Sequence, residues 1–578
     1  MSARRGIVLV LALILLATAV SVGALVLLSL AGGAPPTVPS NSTLYLRLQP
    51  PFGEVEPSDV FSQFVRPKPT LRETVDTIRK AKGDARIKTL VIVPEADGAL
   101  WAQVQEVRKA LQDFRTSGKA VVAFMESGGA QAYYVASAAD RIVMMPAGQL
   151  DVSGLAYYEI FLRGAFDKMG VYPDMLHIGD YKTASNTFTE KTFTPAHREM
   201  TQALNRSWYD ELVRAIAQGR KVSEQAARAA IDGGPYTADG AVKAGLVDEL
   251  AYEDQLDDKS PIQGTSRFEG ENYVNAMVSG SRRESGGRVA LLYAAGTIAS
   301  GKSSYDSPGG PVVGSETFVQ WLRKVRVDPS IKAIVIRVDS PGGSAIASEV
   351  IWREVMLARD VKPVVVSMGD VAASGGYYIA APAHTIVAQP GTLTGSIGVV
   401  TGKFVLEGAL EKLGVGTESV SDGRFAEIYS PFRPFTPEER ARVEEQMQAT
   451  YELFLSRVAQ GRQVESAKID AIAQGRVWTG HQARELGLVD ELGGLDDAIR
   501  IAKTRARLDP AKDVDLVVYP PKRSFYEIVS NPFGATTGAA SFNILPRPEA
   551  RLAESALRML RLFRRGEPLA VMPNIFLN

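Results

Sequence analysis

A serine and a lysine of this sequence are each kept in one of two similar stretches and lost in the other. Ser374 stands in the run DVAASGGYY, and Lys182 stands in IGDYKTAS. When the stretches are aligned with a shift of 244 residues, Ser374 faces Ala130 and Lys182 faces Ala426. A serine hydroxyl is a weak nucleophile that needs a base, and a lysine whose pKa is lowered by burial can act as one. The pair predicts a Ser/Lys active site assembled between two half-degenerate copies of one fold.

Both residues also have ordinary interpretations. A serine that opens a helix is more often an N-cap, and a single lysine is more often a solvated surface ammonium. His384 follows Ser374 by only ten residues on the same local element, so we expect it to point elsewhere. The complementary losses at Ala130 and Ala426 favour catalysis over the ordinary interpretations.

A pair of glycines follows a buried strand of the second copy. Gly342 and Gly343 stand in VDSPGGS, between that strand and a helix. Paired glycines let the backbone approach a ligand closely and direct N–H groups at it. We therefore expect an oxyanion hole here, which stabilises the tetrahedral intermediate of acyl transfer. A tight turn that needs positive φ explains the same residues without catalysis.

The self-similarity extends over most of the chain and predicts a duplicated domain. Ala138–Gln149 (AADRIVMMPAGQ) matches Pro382–Leu393 (PAHTIVAQPGTL), and GLVDEL occurs at Gly245–Leu250 and again at Gly487–Leu492. The predicted organisation is a cytoplasmic tip with a transmembrane anchor (1–30), a linker (31–42), a first repeat with the lysine (43–251), a connector (252–287), a second repeat with the serine (288–506) and a tail (507–578).

Short apolar strands alternate with amphipathic helices in both copies, which predicts βαβ units, a parallel sheet and an α/β fold. In the first copy we expect strands Thr43–Leu48, Thr89–Val93 and Ala120–Met125, and helices near Leu71–Lys82 and Trp101–Thr116. In the second copy we expect strands Arg288–Tyr293, Ala333–Val338 and Pro363–Ser367, and helices near Glu316–Val325 and Ala347–Arg359.

Composition argues against several classes of protein. The 578 residues include 65 Lys and Arg against 65 Asp and Glu, and a chain without net charge is a poor binder of nucleic acid. There is no cysteine, which excludes thiol nucleophiles, thiolate metal sites and disulfides, and four histidines leave little material for a metal site. We expect no cofactor and no metal. Gly296–Ser303 fits the P-loop pattern, but the following SYDSPGG cannot form the helix that a P-loop opens, so we expect no nucleotide.

The N-terminus reads as a membrane anchor. Residues 6–30 carry no charge over 25 positions, which is long enough to cross a bilayer and longer than the apolar region of a cleaved signal. Arg4 and Arg5 precede this span, so residues 1–5 should be cytoplasmic and the bulk of the chain periplasmic, at a bacterial inner membrane. A signal peptide cleaved near Leu30–Ala34 is the alternative.

Four segments in combination resemble the signal peptide peptidase SppA family in its long, tandem-repeat form. They are Asp339–Gly343, Ala373–Tyr378, the loop Leu393–Gly398 (LTGSIG) and Gly179–Ala184. The resemblance implies a Clp/crotonase-like fold and a Ser/Lys protease with its nucleophile at Ser374 and its base at Lys182. It also implies that Ser396 orients the lysine ammonium. Cleaved signal peptides and other small or unfolded chains as substrates, and a homo-oligomer, expected to be a tetramer, follow from the same resemblance.

Two rival functions share parts of this pattern. A crotonase-type enzyme acting on acyl-CoA would have the same fold and oxyanion hole, but the membrane anchor and the Ser/Lys split disfavour it. A catalytically inactive scaffold derived from a protease would have lost both catalytic positions altogether, whereas here each is lost only once.

Overall fold

The computed structural model describes residues 36–55, 69–96, 98–275, 286–306, 310–521, 568–573 and 576–577, with isolated positions at Leu13, Leu15, Leu16, Val20 and Gly23. The sequence-predicted anchor at 6–30 therefore lies almost entirely outside the described residues. Within the described ranges, no helix has the length and apolar character needed to cross a bilayer.

The first half contains these elements in chain order. Its strands are β1 Ser42–Leu48, β2 Ile87–Pro94, β3 Ala120–Met125, β4 Gly128–Gly129, β5 Arg141–Met144, β6 Gln149–Asp151, β7 Tyr157–Tyr158, β8 Tyr172–Ile178, β9 Tyr236–Thr237, β10 Glu249–Leu250 and β11 Ser266–Glu269. Its helices are α1 Leu71–Gly83, α2 Trp101–Arg115, α3 Ala130–Ala136, α4 Arg163–Met169, α5 Asn186–Thr189, α6 Pro195–Arg220, α7 Glu224–Asp232, α8 Ala238–Lys243 and α9 Gly270–Asn275.

The second half repeats much of this order. Its strands are β12 Arg288–Ala295, β13 Thr297–Ala299, β14 Ser304–Asp306, β15 Gly310–Gly314, β16 Ile331–Ser340, β17 Gly342–Ser344, β18 Val364–Ala373, β19 Thr385–Ala388, β20 Leu393–Gly395, β21 Val399–Val405, β22 Val477–Thr479, β23 Glu491–Leu492, β24 Asp515–Tyr519, β25 Leu569–Val571 and β26 Phe576–Leu577. Its helices are α10 Ser315–Val327, α11 Ala345–Arg359, α12 Gly375–Ala380, α13 Glu407–Lys412, α14 Pro437–Arg462, α15 Ser466–Asp470, α16 Gly480–Glu485 and α17 Leu495–Arg505.

Each half builds a parallel sheet, and the two sheets have the same strand order. The first runs β10-β5-β3-β2-β1-β11, and the second contains the path β23-β19-β18-β16-β12-β24. The central strands β2 and β16 are mostly apolar and are buried apart from one exposed lysine in each and the partly exposed Asp339. Such burial is expected of strands covered by helices on both faces. The α/β fold and the duplication expected from the sequence are therefore present.

The long helices repeat down to their caps. Helices α6 and α14 are both 26 residues long, with proline in the first turn, and begin after a capping threonine, Thr194 and Thr436 respectively. Threonine accepts a hydrogen bond from an otherwise unpaired N–H of the first turn, which fixes where each helix starts. Close to the C-terminus of each helix lies an equivalent ion pair, Arg220–Asp248 in one half and Arg462–Asp490 in the other.

Two segments expected to lie outside the repeats belong to the sheets. Ser266–Glu269, within the predicted connector, is an edge strand parallel to β1. Asp515–Tyr519, within the predicted tail, holds the same edge position beside β12. The predicted tail therefore contains a strand equivalent to the one in the predicted connector. The self-match missed it because edge strands need only short apolar runs, and SRFE and DLVVY share no residue pattern.

A third sheet joins the two halves. Its order is β14-β15-β13-β17-β25-β21-β8, in which β8 comes from the first half and the other strands come from the second half and the tail. β8 and β21 pair antiparallel along their whole length, from Ile178 opposite Val399 to Tyr172 opposite Val405. This pairing positions the ends of elements from both halves side by side.

Candidate active site

Ser374 stands at a sharp turn between strand and helix. β18 extends six residues beyond the predicted end at Ser367, because its last residues pair with β20. The chain then turns directly into α12 with Ser374 at φ 54° and ψ −114°, and the Ser374 N–H donates to the Gly395 carbonyl at 2.8 Å. This combination of φ and ψ is sparsely populated, costs on the order of 1–3 kcal/mol, and is of a kind that clusters at active sites. The Ser374 side chain makes no capping hydrogen bond, so the N-cap interpretation does not account for it.

Lys182 reaches this turn from the first half. β8 ends at Ile178, and β21 begins opposite it at Val399, so the residues that follow β8 lie beside those that precede β21. Lys182 lies four residues past the end of β8, and Ser396 lies three residues before the start of β21. The antiparallel pair thus delivers the lysine and the LTGSIG loop to the same end of the third sheet.

Two glycines allow the lysine loop to dock on the second half. Gly179 has φ +98°, and a Cβ there would lie 2.4 Å from the backbone of Gln474. Gly475 has φ +77°, and a Cβ there would lie 2.5 Å from the N, Cα and Cβ atoms of Lys182. The Tyr181 N–H donates to the Gln474 carbonyl at 2.9 Å, which ties the two loops together. Side chains at either glycine would force the lysine loop away.

The lysine amine lies within hydrogen-bonding distance of three oxygen atoms. Lys182 Nζ is 2.8 Å from Ser374 Oγ, 2.8 Å from the Ser396 carbonyl oxygen and 3.0 Å from Ser396 Oγ. The structure thus brings together Ser374, Lys182 and Ser396, the three side chains singled out in the sequence. All three are 0% exposed.

Burial sets the charge of the lysine. The pKa of Lys182 is lowered well below its ordinary value of 10.5, and the cause is removal of the ammonium from water. A neutral amine has two N–H donors and one lone pair. Ser396 offers two acceptors, its carbonyl and its hydroxyl oxygen, and the lone pair is then left for the Ser374 hydroxyl proton. The three neighbours match the hydrogen-bonding capacity of a lysine base beside a serine nucleophile.

Ser396 is held in place by its own backbone. It has φ 49°, and its N–H donates to the Arg476 carbonyl at 2.7 Å. Gly395, just before it, has φ +77°, so the LTGSIG loop makes two successive positive-φ turns. This backbone path directs both the carbonyl and the hydroxyl of Ser396 at the lysine amine.

The two predicted oxyanion glycines differ in their geometry. The Gly342 N–H donates to Ser340 Oγ at 3.2 Å. Gly343, with φ +153°, stands in β17 between Ile298 and Ala570. Gly342 matters through its missing side chain, because a Cβ there would lie 2.0 Å from the Ala570 carbonyl oxygen and 2.7 Å from the Gly375 nitrogen.

Two parts of the site were missed from the sequence. The first is the amide of Gly375, which precedes the first hydrogen bond of α12, from the Tyr378 N–H to the Ser374 carbonyl. The glycine after the nucleophile in ASGGYY was the available signal. The second is β25, a strand of three residues at the far end of the tail, which no repeat or motif marks.

The other sequence features lie elsewhere or have other surroundings. His384 Nδ1 accepts the Val364 N–H at 3.1 Å, at the opposite end of β18 from Ser374. The P-loop-like run contains β13 and leads into β14, both strands of the third sheet. Among the described residues, no three His, Asp or Glu side chains are grouped so as to hold a metal ion.

Two regions of the chain match the model of peptidase family S49, residues 113–261 and residues 357–509. Together they make up more than half of the sequence, one in each half. The chain belongs to peptidase family S49. The match falls on both parallel sheets, so this S49 chain is a tandem repeat of the family's unit.

Curated relatives of this S49 chain are similar over most of their length. It is 34% identical to "Serine protease SPPA, chloroplastic" of Arabidopsis thaliana over 475 residues, covering 80% of this chain and 69% of that protein. It is 38% identical to "Protease 4" of Salmonella typhi over 453 residues, covering 76% and 72%, and 31% identical to "Protease 4" of Haemophilus influenzae over 467 residues, covering 77% and 74%. A solved ClpP1 mutant from Listeria monocytogenes aligns over 36% of this chain and 94% of its own at 14% identity, with a TM-score of 0.24.

Family membership and these relatives identify the S49 chain as a serine-type peptidase and thus a hydrolase. This assignment is favoured over the two rival hypotheses, an acyl-CoA enzyme and an inactive scaffold.

Proposed function

We propose that this S49 peptidase is a membrane-anchored serine endopeptidase in which Ser374 is the nucleophile and Lys182 the general base. The observation that supports the assignment is the 2.8 Å separation of Lys182 Nζ and Ser374 Oγ in a pocket where both residues are 0% exposed. A hydroxyl becomes an effective nucleophile when a neighbouring base takes its proton. A lysine can be that base at neutral pH only if it is kept neutral by burial.

The reaction follows from this geometry. Lys182 Nζ takes the proton of Ser374, whose Oγ attacks the carbonyl carbon of the scissile peptide bond. Lys182 then gives the proton to the leaving amine, and water hydrolyses the acyl-enzyme by the reverse of the same proton transfers. Ser396 keeps the amine directed at Ser374 through its hydroxyl and carbonyl oxygens.

The negative oxygen of the tetrahedral intermediate is held by backbone amides. Gly343 and Gly375 supply the N–H groups, and Gly342 supplies the space that lets the substrate backbone come between them. Aligned donors of this kind commonly stabilise a transition state by about 3–4 kcal/mol each. The proposal thus keeps Gly343 in its predicted role and moves the second amide from Gly342 to Gly375.

The setting of the enzyme is proposed from its sequence and its relatives. Residues 6–30 would anchor it in the inner membrane of a bacterium, with the peptidase part periplasmic. We also propose a Clp/crotonase-like fold and a homotetrameric assembly. The proposed substrates are cleaved signal peptides and other small or unfolded chains. Relatives named Protease 4 and SppA support the substrate class.

Substitution of the pair tests the assignment. Ser374→Ala and Lys182→Met should each lower kcat/KM for a fluorogenic peptide by at least about 10³-fold, because nucleophile and base act together. Lys403→Met is the matched control, since Lys403 is 5% exposed, has a pKa lowered by burial, and binds the Ile428 carbonyl instead. Its activity should stay near that of the wild type, and circular dichroism should show all three variants folded.

The pH dependence of the same assay gives a second readout. Because Lys182 must be neutral, kcat/KM should rise with pH along a limb well below the ordinary lysine pKa of about 10.4. Labelling of Ser374 by a fluorophosphonate should follow the same limb and disappear in Lys182→Met. Full activity of either Ser374→Ala or Lys182→Met would refute the dyad.

A further inference from the structure

Helix α2 of the first half has no cap of its own. Leu100 stands at its N-cap position with the extended backbone that is usual there, φ −82° and ψ 159°, but a leucine side chain cannot accept a hydrogen bond. The matching helix of the second half, α11, has the same length of 15 residues. Its cap is Ser344, whose Oγ accepts the Ala347 N–H at 3.1 Å. The first half therefore lacks a cap that the second half has.

The missing acceptor comes from the other half of the chain. The Gln103 N–H occupies the place in α2 that the Ala347 N–H occupies in α11, and it donates to Asp370 Oδ1 at 3.0 Å. Gln103 and Asp370 are 4% and 5% exposed. A buried N–H without a partner costs about as much free energy as a lost hydrogen bond, so this acceptor is needed. Asp370 of the second half is thus the cap of a helix in the first half.

Asp370 reaches α2 because β18 bulges shortly before the serine turn. Residues 369–371 of β18 fall between the same two ladder pairs as the single residue Asp339 of β16. A bulge bends its strand and redirects a side chain, and bulges are frequent beside active sites. The second half also holds the bulge by itself, since Asp339 Oδ1 accepts the Val371 N–H at 3.0 Å. The bulge is therefore fixed from both halves.

The first turns of α2 make further buried contacts with the second half. Glu106 pairs with Arg337 of β16 at 2.6 Å, with side chains that are 7% and 1% exposed. Gln105 Oε1 accepts the Gly391 N–H at 2.8 Å. In α11 the residue that matches Glu106 is Val350, which is 46% exposed. Only α2 is thus built into the interface between the halves.

The cap lies directly behind the nucleophile. Asp370 precedes Ser374 by four residues, and the base Lys182 comes from the half that contains α2. The residue of the first half that matches Asp370 is Glu126, which is exposed and precedes Ala130 by the same four residues. A carboxyl group tied to the other half therefore stands only behind the turn that has a serine.

We propose that Asp370 is a positioning residue: by capping α2 across the interface it fixes the bulge of β18, and with it the place of Ser374 relative to Lys182. This inference rests on the proposed function, because it needs the two side chains to act as a dyad. Asp370 touches neither the substrate nor the reacting atoms. Its loss should lower kcat and leave KM nearly unchanged, since a displaced nucleophile weakens the transition state more than substrate binding.

Two substitutions at this position test the proposal. In Asp370→Ala the acceptor is lost, so kcat for a fluorogenic peptide should fall by at least about tenfold while KM stays within about twofold. Asp370→Asn keeps Oδ1 and should have a kcat within about threefold of the wild type. Burial and the neighbouring Asp339 carboxyl raise the pKa of Asp370 well above its ordinary value, which favours its neutral form and makes asparagine a close substitute.

A cap elsewhere in the chain is the matched control. Ser223 caps α7 by accepting the Ala226 N–H at 3.1 Å. Ser223→Ala should lower the urea midpoint, as Asp370→Ala does, but its kcat should stay within about twofold of the wild type. The comparison separates loss of a helix cap from displacement of the nucleophile.

Restoration of a local cap separates the two roles of Asp370 itself. Leu100→Ser in the Asp370→Ala background gives α2 the cap that α11 has, so the urea midpoint should recover in part. The link between the halves stays broken, so kcat should remain at least about tenfold low. Recovery of kcat in this double variant would show that Asp370 serves only the helix and would overturn the proposal.

The remaining outcomes also decide. A kcat of Asp370→Ala within about twofold of the wild type, an Asp370→Asn as impaired as Asp370→Ala, or a double variant that does not fold would each overturn the proposal. If Ser374→Ala is inactive in the same assay, such a result leaves the dyad standing. Full activity of Ser374→Ala would instead refute the dyad, and this inference with it.

Discussion

The two halves of this peptidase have the same sheet but differ at the turn where a nucleophile can stand. In the second half, Ser374 precedes α12 with φ 54°. In the first half, Ala130 occupies the matching place and is already the first residue of α3, after Gly129 at φ −94°. The strained backbone is thus present only in the half that has the serine. A conformation that costs energy is retained where it presents a side chain and is relaxed where that side chain is gone.

At the lysine position it is the first half that keeps the polar residue and the second half that has lost it. Lys182 is 0% exposed, whereas its counterpart Ala426 is exposed in the segment between α13 and α14. The turn before each residue is preserved, with Gly179 at φ +98° and Gly423 at φ +103°. Only the first of these turns packs against another loop, at Gln474.

This difference explains how each half could lose one member of the proposed dyad. The serine turn of the second half meets the lysine loop of the first half through the antiparallel pair β8 and β21. The corresponding turn of the second half is packed less tightly, since no atom lies nearer to a Cβ on Gly423 than that of Ala426 at 4.0 Å. A second dyad would need Ala130 and Ala426 to meet. One site per chain leaves both positions free to change.

Transfer of the lysine to the other half gives the largest expected effect. In Lys182→Met, kcat/KM should fall by at least about 10³-fold, and the additional change Ala426→Lys should restore none of it. The new lysine would be exposed and would keep its ordinary pKa, so it can neither reach Ser374 nor remain neutral. The measurement is peptide hydrolysis by the single and double variants. Recovery in the double variant would show that the halves are interchangeable and contradict the comparison.

Substitution of each of the two matching glycines by alanine tests the same comparison and should have a smaller effect on activity. Gly179→Ala and Gly423→Ala introduce a side chain at nearly the same positive φ, so both should lose at least roughly 1 kcal/mol of stability. Only at Gly179 does the new Cβ meet backbone, 2.4 Å from Gln474, and displace the lysine loop. A displacement of about 1 Å at a catalytic group lowers activity about 10²-fold.

The two readouts separate these effects. Urea unfolding should show a loss of stability for both variants, larger for Gly179→Ala because its Cβ overlaps the Gln474 backbone. In contrast, kcat/KM should fall about 10²-fold for Gly179→Ala and less than about twofold for Gly423→Ala. Equal activities would mean that the docking of the lysine loop does not position the base.

The central elements of the fold could be predicted because parallel strands covered on both faces are continuous apolar runs. The strand at Ala120–Met125 has the predicted bounds, and the helix expected at Trp101–Thr116 ends at Arg115. Local sequence carries this information. The complementary losses of serine and lysine in the two repeats also predicted that the two side chains lie close together. They do so because the pairing of β8 with β21 brings the lysine loop to the serine turn.

The missed parts of the fold depend on pairing rather than on local sequence. β18 continues through Asp370 to Ala373 because β20 lies alongside, although this run is short of branched apolar residues. The three residues of β25 become a strand only because two edges flank them. The Gly375 amide is part of the site by position alone, and the backbone N–H of one residue has no signature in a sequence.

Ser396→Ala should have the smallest effect, because it tests one hydrogen bond. In the first half the matching residue is Val152, so the comparison predicts that a hydroxyl is needed only beside a lysine. The variant loses the acceptor 3.0 Å from Nζ, while the carbonyl of residue 396 at 2.8 Å remains. One such bond contributes about 1 kcal/mol, so kcat/KM should fall by roughly tenfold or less.

The pH profile decides whether this hydroxyl orients the lysine or merely fills space. An oxygen that accepts from Nζ stabilises the charged ammonium, so its removal should lower the pKa of Lys182 further. The acid limb of kcat/KM should then move to lower pH. A tenfold loss of activity with an unmoved limb would mean that Ser396 supports the loop without acting on the base.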